Sequence, residues 1–256
     1  MATDLSRLFT VDGRLAVVVG GASGLGRASA AGLAAHGAEV VVADKDLAGA
    51  ESAATELGAR ARSLDVGSAA DIARAAEEEA EAEILVVTPG INVRKRLADT
   101  TDEEFDRVID VNLRGTFRLI REFGARMHER GRGSIIVFSS FRAQFVEPGQ
   151  GVYAATKAGV AQLARAAAAE FGPGGVRVNA VAPGPFETPL TEQIKDDPEW
   201  YSAYADKTAL RRWGKPEEIV GTVLYLASDA GSYVTGGLHY VEGGWTAIDG
   251  RFEPRL

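Results

Sequence analysis

Short runs of consecutive apolar residues alternate along this chain with longer stretches in which apolar positions recur every three or four residues. An uninterrupted apolar run of four to six residues, bounded by turn residues, reads as a strand buried on both faces. Strand-like runs, wholly apolar over 15–19 and 84–87 and carrying polar residues in the others, predict strands over residues 15–19, 39–43, 60–64, 84–87, 134–138, 177–181 and 238–241. The helical recurrence predicts helices over residues 25–36, 47–57, 69–80, 102–130, 152–171 and 216–227. Strand and helix alternate from end to end, the pattern of a parallel sheet covered by helices on both faces. Right-handed crossovers then give a doubly wound α/β fold. No linker, repeat or low-complexity tract breaks the rhythm, so residues 1–256 are read as one domain.

Two segments depart from it. Residues 188–212 are aromatic and charged, with Pro198, Trp200, Tyr201 and Tyr204, and contain no strand pattern. They follow the carboxyl end of a strand, where open α/β sheets bind ligands, so they read either as a substrate lid or as an ordinary packed surface helix. Residues 245–256 follow the last strand and carry Trp245, Ile248, Phe252 and Leu256. These are expected to dock on a neighbouring subunit; the alternative is a loose tail.

Composition narrows the chemistry. The chain has 256 residues and a net charge of −8, which disfavours a sequence-independent nucleic-acid binder. It has no cysteine, which excludes disulfides, thiolate catalysis and Cys-ligated metals. His36, His128 and His239 are scattered, without metal-ligand spacing. The longest wholly apolar run is too short to cross a membrane, and residues 1–12 do not read as a signal peptide. A cytoplasmic enzyme acting on a small molecule, with neither membrane nor nucleic acid as partner, is the expectation.

Between the first strand and first helix lies Gly20-Gly21-Ala22-Ser23-Gly24-Leu25-Gly26. A helix N-terminus offers free N–H groups and the positive end of a dipole, and glycines let the backbone approach a pyrophosphate. A glycine turn alone is common; at the first strand–helix junction of a doubly wound pattern it points to a dinucleotide. Asp44 closes the second strand, where a carboxylate can accept from both adenosine ribose hydroxyls and repel a 2′-phosphate. The same residue could equally serve the start of the next helix. Asp44, with Ser23 in place of a basic residue, favours NAD; the neighbouring Lys45 pulls the other way. Asp65 and Val66, after the third strand, are placed to meet the adenine edge.

Tyr153 and Lys157 lie four apart near the start of a helix and so share a face. A nearby ammonium favours the phenolate of a tyrosine, whose unperturbed pKa of about 10 is high for a base. Such a pair is common by chance. Ser140, closing the fifth strand, Asn112, and the run Asn179-Ala180-Val181-Ala182-Pro183-Gly184 lift it. Together with Gly20-x3-Gly24-x-Gly26, these motifs resemble the short-chain dehydrogenase/reductase family over about residues 15–245. The resemblance implies a Rossmann-type fold and assigns Tyr153 as general acid/base. Lys157 would bind the nicotinamide ribose and tune Tyr153, and Ser140 would hydrogen-bond the reacting oxygen. Asn112 would hold a water of a proton relay. Thr188 would contact the carboxamide, with Pro183, Gly184 and Phe186 flanking the ring and Gly90 beside the ribose.

Three features depart from the family pattern. Val19 stands where the family has Thr, and Val87-Thr88-Pro89-Gly90 replaces its Asn-Asn-Ala-Gly turn. Apolar packing is expected to compensate for both losses together. The stretch of residues 65–84 is about one helical turn short, which should trim a surface helix.

Arg94-Lys95-Arg96 follows the fourth strand, Arg142 lies just past Ser140, and Gln150 just before Tyr153. These residues could hold a carboxylate or phosphate, or be no more than a solvated loop, and Glu147 could neutralise Arg142. Phe141, Phe145, Phe186 and Trp200 are candidate apolar walls. The mix suits a sugar, polyol, sugar acid or small cyclic ketone. Reversible alcohol oxidation with NAD is the leading reading; a 3-oxoacyl thioester reductase using NADPH and a catalytically silent dinucleotide sensor are the rivals. A homotetramer is expected, with Ala161, Ala164 and Ala168 read as an outer helix face that permits close contact.

Overall fold

Residues whose side chains are apolar at every position of a strand must be covered on both faces, and the sheet satisfies this. The computed structural model describes residues 5–247. Its strands are β1 (Leu15–Val19), β2 (Glu39–Asp44), β3 (Arg60–Ser63), β4 (Ile84–Val87), β5 (Gly133–Phe138), β6 (Val176–Pro183) and β7 (Leu238–Val241). They form one sheet in the order β3-β2-β1-β4-β5-β6-β7. Every neighbouring pair is parallel. The chain moves outward from β1 to β3, then returns to place β4 on the other side of β1. The order reverses there, and the crevice beyond the carboxyl ends of β1 and β4 is the switch point where such sheets bind ligands.

Side chains alternate between the two faces of a strand. Val17, Val19, Leu85, Ile135 and Val137 pack on one side with Leu119 and Phe123 of α5 (Gly115–Arg130) and Val160 and Ala164 of α6 (Gly151–Phe171). Ala16, Val18, Val42, Val86 and Ile136 pack on the other with Leu33 of α1 (Gly24–Ala35), Ala50 and Ala53 of α2 (Leu47–Leu57), and Leu224 of α9 (Val220–Ala227). α3 (Ala69–Glu78) adds Ile72 to the first face. Each predicted strand is present, with ends shifted by at most two residues.

Three expectations are refined or corrected. First, the helix predicted over 102–130 runs unbroken, as α4 (Asp102–Ile109) and α5 joined through a π-turn over Asp110–Arg114 that widens it midway. The widened turn surrounds Asn112, whose side chain is tied to Ile91 rather than left to solvent. Second, Ala161, Ala164 and Ala168 are buried within the chain, so they are an inner face. Small residues there let α6 lie close on the sheet. Third, Trp245 does not wait for a neighbouring subunit. It packs at 5.0 Å from the Phe141 ring and 5.1 Å from Tyr204. Ile248, Phe252 and Leu256 lie outside the described residues.

The segment 188–212 forms a 3₁₀ turn (Pro189–Thr191), α7 (Glu192–Lys195) and α8 (Pro198–Lys207). Asp197 caps α8 by accepting from the amides of Glu199 and Trp200. Ile194 and Tyr204 are buried there with Phe141, Trp213 and Trp245, an aromatic cluster above the carboxyl edge of the sheet. Among the described residues no helix is long and apolar enough to cross a membrane.

Candidate active site

The glycine turn lies at the switch point and is packed too closely for side chains. A Cβ on Gly26 would sit 2.0 Å from the Gly20 carbonyl oxygen, and one on Gly20 would sit 2.4 Å from the Thr88 hydroxyl. Gly24 has a φ of +51°, in the left-handed region that glycine tolerates. A cavity of about 370 Å³ opens above this turn. Gly20, Ser23, Gly24, Leu25, Gly26, Asp44, Asp65, Val66, Gly90 and Thr188 all line it, as the sequence suggested, and so does Lys45. Asp44 accepts from the Ala22 amide at 3.2 Å and the Asp46 amide at 3.1 Å, which fixes its carboxylate beside the turn. Asp65 accepts from Gly67 at 2.8 Å. The cradle therefore has the shape, the free helix N-terminus and the acidic end that a dinucleotide needs.

Compensation at Val19 and Thr88 is polar, contrary to the apolar packing expected. Thr88 donates to the carbonyl oxygens of Val19, at 2.9 Å, and Gly20, at 3.2 Å. A hydroxyl on β4's end thus ties down the end of β1. Because threonine needs only a carbonyl acceptor, it requires no polar side chain at position 19.

Beyond the turn, a smaller cavity holds the candidate catalytic groups. Tyr153 and Lys157 rise from the first turns of α6, and the Lys157 ammonium lies 5.6 Å from the centre of the Tyr153 ring. Ser139 donates to the Lys157 carbonyl at 2.7 Å, which pins α6 against the end of β5. Lys157 itself is buried and donates to the Phe138 carbonyl at 2.8 Å. Burial lowers its pKa to about 8. Burial pushes the Tyr153 phenol above its ordinary value, while a hydrogen bond with Ser140 and the charges of Arg142 and Arg94 act the other way. Ser140 is held by the Arg142 amide, 3.1 Å from its Oγ. The three side chains line one cavity with Gly90, Pro183, Gly184, Phe186 and Thr188. Asn112 stands behind them, wholly buried, and fixes the β4 loop. It accepts from the Ile91 amide at 2.8 Å and donates to the Ile91 carbonyl at 2.9 Å and Thr156 at 3.1 Å.

The polar and cationic candidates divide. Arg94, Arg142 and the neutral Gln150 line the cavity, whereas Lys95 pairs with Glu104 at 2.6 Å and Arg96 is exposed. Arg142 is almost completely buried, bound to Glu147 and, at 2.9 Å, to Tyr204. Trp200 does not line the cavity; it backs Arg94, whose guanidinium lies 4.8 Å from its ring. Phe141 and Phe186 are walls, but Phe145 is exposed. Sequence reasoning missed Asn92 and the hydroxyl of Tyr204. Asn92's only signal is a polar side chain directly after Gly90-Ile91 at the carboxyl end of β4.

The chain matches a family profile described as enoyl-(acyl carrier protein) reductase over residues 20–246. It is 39% identical over 251 residues to the galactitol 2-dehydrogenase (L-tagatose-forming) of Cereibacter sphaeroides, covering 95% of this chain and 99% of that one. It is 36% identical to the 2-dehydro-3-deoxy-D-gluconate 5-dehydrogenase of Pseudoalteromonas atlantica, covering 93% and 97%. A crystal structure of a gluconate 5-dehydrogenase from Burkholderia cenocepacia, in complex with NADP and tartrate, superposes with a TM-score of 0.90 at 31% identity, covering 94% of this chain and 98% of that one. Profile, relatives and fold agree with the motifs: the chain belongs to the short-chain dehydrogenase/reductase family of oxidoreductases.

Proposed function

We propose that this protein is an NAD-dependent dehydrogenase that interconverts a secondary alcohol and a ketone on a polyol, sugar or sugar acid. The observation that carries the reading is the convergence of Tyr153, Lys157 and Ser140 on one cavity beside the glycine cradle. When bound there, the nicotinamide supplies the hydride acceptor. Tyr153 takes the proton of the substrate hydroxyl through its phenolic oxygen, and Ser140 holds the reacting oxygen in hydrogen-bond reach. Lys157 favours the phenolate by its charge and reaches the nicotinamide ribose. Asn112 keeps the β4 loop and α6 in register and serves the proton path behind Lys157. Gly90, Pro183, Gly184, Phe186 and Thr188 frame the nicotinamide half, and Asp65 and Val66 the adenine half.

Asp44 supports NAD over NADP, because a carboxylate fixed beside the turn repels a 2′-phosphate. The names of the relatives support the substrate class. Exposed Phe105 and Phe117, on α4 and α5, support assembly into a homotetramer, for which sedimentation at micromolar concentration is the check. The functional test is NADH appearance with a panel of polyols, sugars and sugar acids, run in parallel with NADP. Turnover of several panel members with NAD is the expected result. Selective reduction of 3-oxoacyl thioesters by NADPH, or binding of NAD with no turnover of any alcohol, would overturn it.

A further inference from the structure

The catalytic cavity is lined by three cations, Arg94, Arg142 and Lys157, and by no aspartate or glutamate among the described residues. The whole chain carries a net charge of −8, so this gathering of positive charge is local. Lys157 is taken up beside Tyr153, where it donates to the Phe138 carbonyl. The two guanidiniums share a single carboxylate, Glu147, which does not itself line the cavity.

That carboxylate is unevenly divided. Its Oε2 accepts from Arg142, Gln150 and the Tyr204 hydroxyl, so the charge of Arg142 is answered. Arg94 is not answered in the same way. Its Nη1 lies 3.6 Å from Glu147 Oε1, beyond hydrogen-bond length, and its buried Nε has no partner. The Trp200 ring, 4.8 Å from the guanidinium carbon, backs it through a cation–π contact, which consumes no N–H donor. Only 20% of the Arg94 side chain is exposed, so it is largely desolvated without a hydrogen bond to offset the cost. Two guanidiniums against one carboxylate leave one positive charge to be matched from within the cavity. A substrate carboxylate matches it and accepts from Arg94. A phosphate monoester, at about −1.5 to −2, brings more negative charge than this wall offsets. A neutral hydroxyl brings none.

Resting on the dehydrogenase reading above, we propose that the Arg94 end of the cavity is a carboxylate subsite, which selects sugar acids over neutral polyols of the same configuration. Arg94 binds the carboxylate and is a specificity-determining residue. Trp200 positions its guanidinium from behind. Glu147 is a positioning residue that holds Arg142 and Gln150 as the adjoining wall. A site whose buried donors need an acceptor discriminates strongly against an analogue that leaves them unpaired.

The experiment compares an aldonate with its aldonamide and with the hexitol of the same configuration, using the full chain and NAD. The aldonamide keeps the shape of the acid and loses its charge. The expected result is a kcat/KM at least about tenfold higher for the aldonate than for either neutral compound. Arg94→Gln should lower kcat/KM at least about tenfold more on the aldonate than on the hexitol, mostly through KM. Arg94→Lys keeps the charge without the planar fork, so its loss on the aldonate should be smaller. Should Arg94→Gln fail to fold, Arg94→Lys and the parent's ratio of aldonate to aldonamide decide. An aldonate turned over no better than its aldonamide overturns the subsite and leaves the dehydrogenase reading intact. So does a sugar phosphate preferred to the aldonate, or an equal loss on aldonate and hexitol in Arg94→Gln. No turnover of any of these compounds with either dinucleotide overturns both.

Discussion

The hydroxyl of Thr88, at the end of β4, donates to the carbonyl oxygen of Val19, at the end of β1, across 2.9 Å. This bond spans the switch point where the nucleotide cradle begins, and the same hydroxyl reaches Gly20. Two strands that arrive from opposite halves of the fold are fastened at the place where the glycine turn leaves the sheet.

Thr88→Val should therefore loosen the cradle. It keeps the shape and removes the single hydroxyl proton shared by the Val19 and Gly20 carbonyls, while Val19 keeps the Thr88 amide, at a cost of about 1–2 kcal/mol. The expected outcome is an NADH dissociation constant raised by roughly tenfold, with a smaller change in kcat. Thr88→Ser should stay near the parent. Titration of NADH fluorescence on the three proteins is the check; equal affinities would show that the latch has no bearing on the cradle.

Tyr153→Phe should lower kcat by about a thousandfold or more, in the range associated with removing a general acid/base. Dinucleotide affinity should change little, because Tyr153 lines the smaller cavity with Ser140 and not the cavity above the glycine turn. Ser140→Ala should cost about a hundredfold, as it leaves the reacting oxygen without its positioning partner. Activity retained in Tyr153→Phe would remove the proposed chemistry, whatever the fold.

Both the sheet and the glycine turn were legible because local pattern determines them. A run such as Leu15–Val19 admits no exposed face, and a Gly-rich turn between it and a helix has few other uses. Helix geometry puts Tyr153 and Lys157 on one face, but such pairs are common, and it is the resemblance of the whole motif set, with Ser140 and Asn112, that singles them out. The rest depended on partners far away in sequence. No spacing rule says that Glu147 would take Arg142, Gln150 and Tyr204 at once, or that Arg94 would be held beyond hydrogen-bond reach of it. The π-turn at Asn112 depends on a bond to Ile91 across the β4 loop. The inner placing of Ala161, Ala164 and Ala168 was misread because alanine carries no polarity by which to tell one helix face from another. Trp245 reads as a subunit contact in the sequence because its ring partners, Phe141 and Tyr204, are distant in the chain.

Nucleotide choice should turn on Asp44. Asp44→Ala removes the negative charge fixed by the Ala22 and Asp46 amides and leaves Lys45 on the same cavity wall. The ratio of kcat/KM for NADP to that for NAD should rise by about a hundredfold, equivalent to ~2.7 kcal/mol. Steady-state assays with both dinucleotides on one substrate check this. An unchanged ratio would assign the carboxylate to capping the local backbone alone.

Lys157 should stabilise function at the expense of the fold. Burial lowers its pKa from 10.5 to about 8, whereas in the unfolded chain it titrates near the ordinary lysine value of about 10.4. Below pH 8 it is charged in both states, and folding must bury that charge with one carbonyl, Phe138, to hold it. As pH rises from about 8 toward 10.5, the folded protein has released a proton that the unfolded chain still holds, so the penalty from this residue is progressively relieved. Lys157→Met replaces the charge with an apolar side chain of similar reach. At pH 7 the variant without nucleotide should be more stable than the parent by ~1–3 kcal/mol, discounted for the lost bond to Phe138. That corresponds to a melting temperature roughly 5 °C higher for a chain of this size. Its activity should fall by at least about a thousandfold. The gap between the two melting curves should shrink between pH 8 and 10, since only the parent gains stability there from this site. A variant that melts below the parent at pH 7, or a gap that widens with pH, would mean that the ammonium is held by favourable contacts rather than forced into the interior.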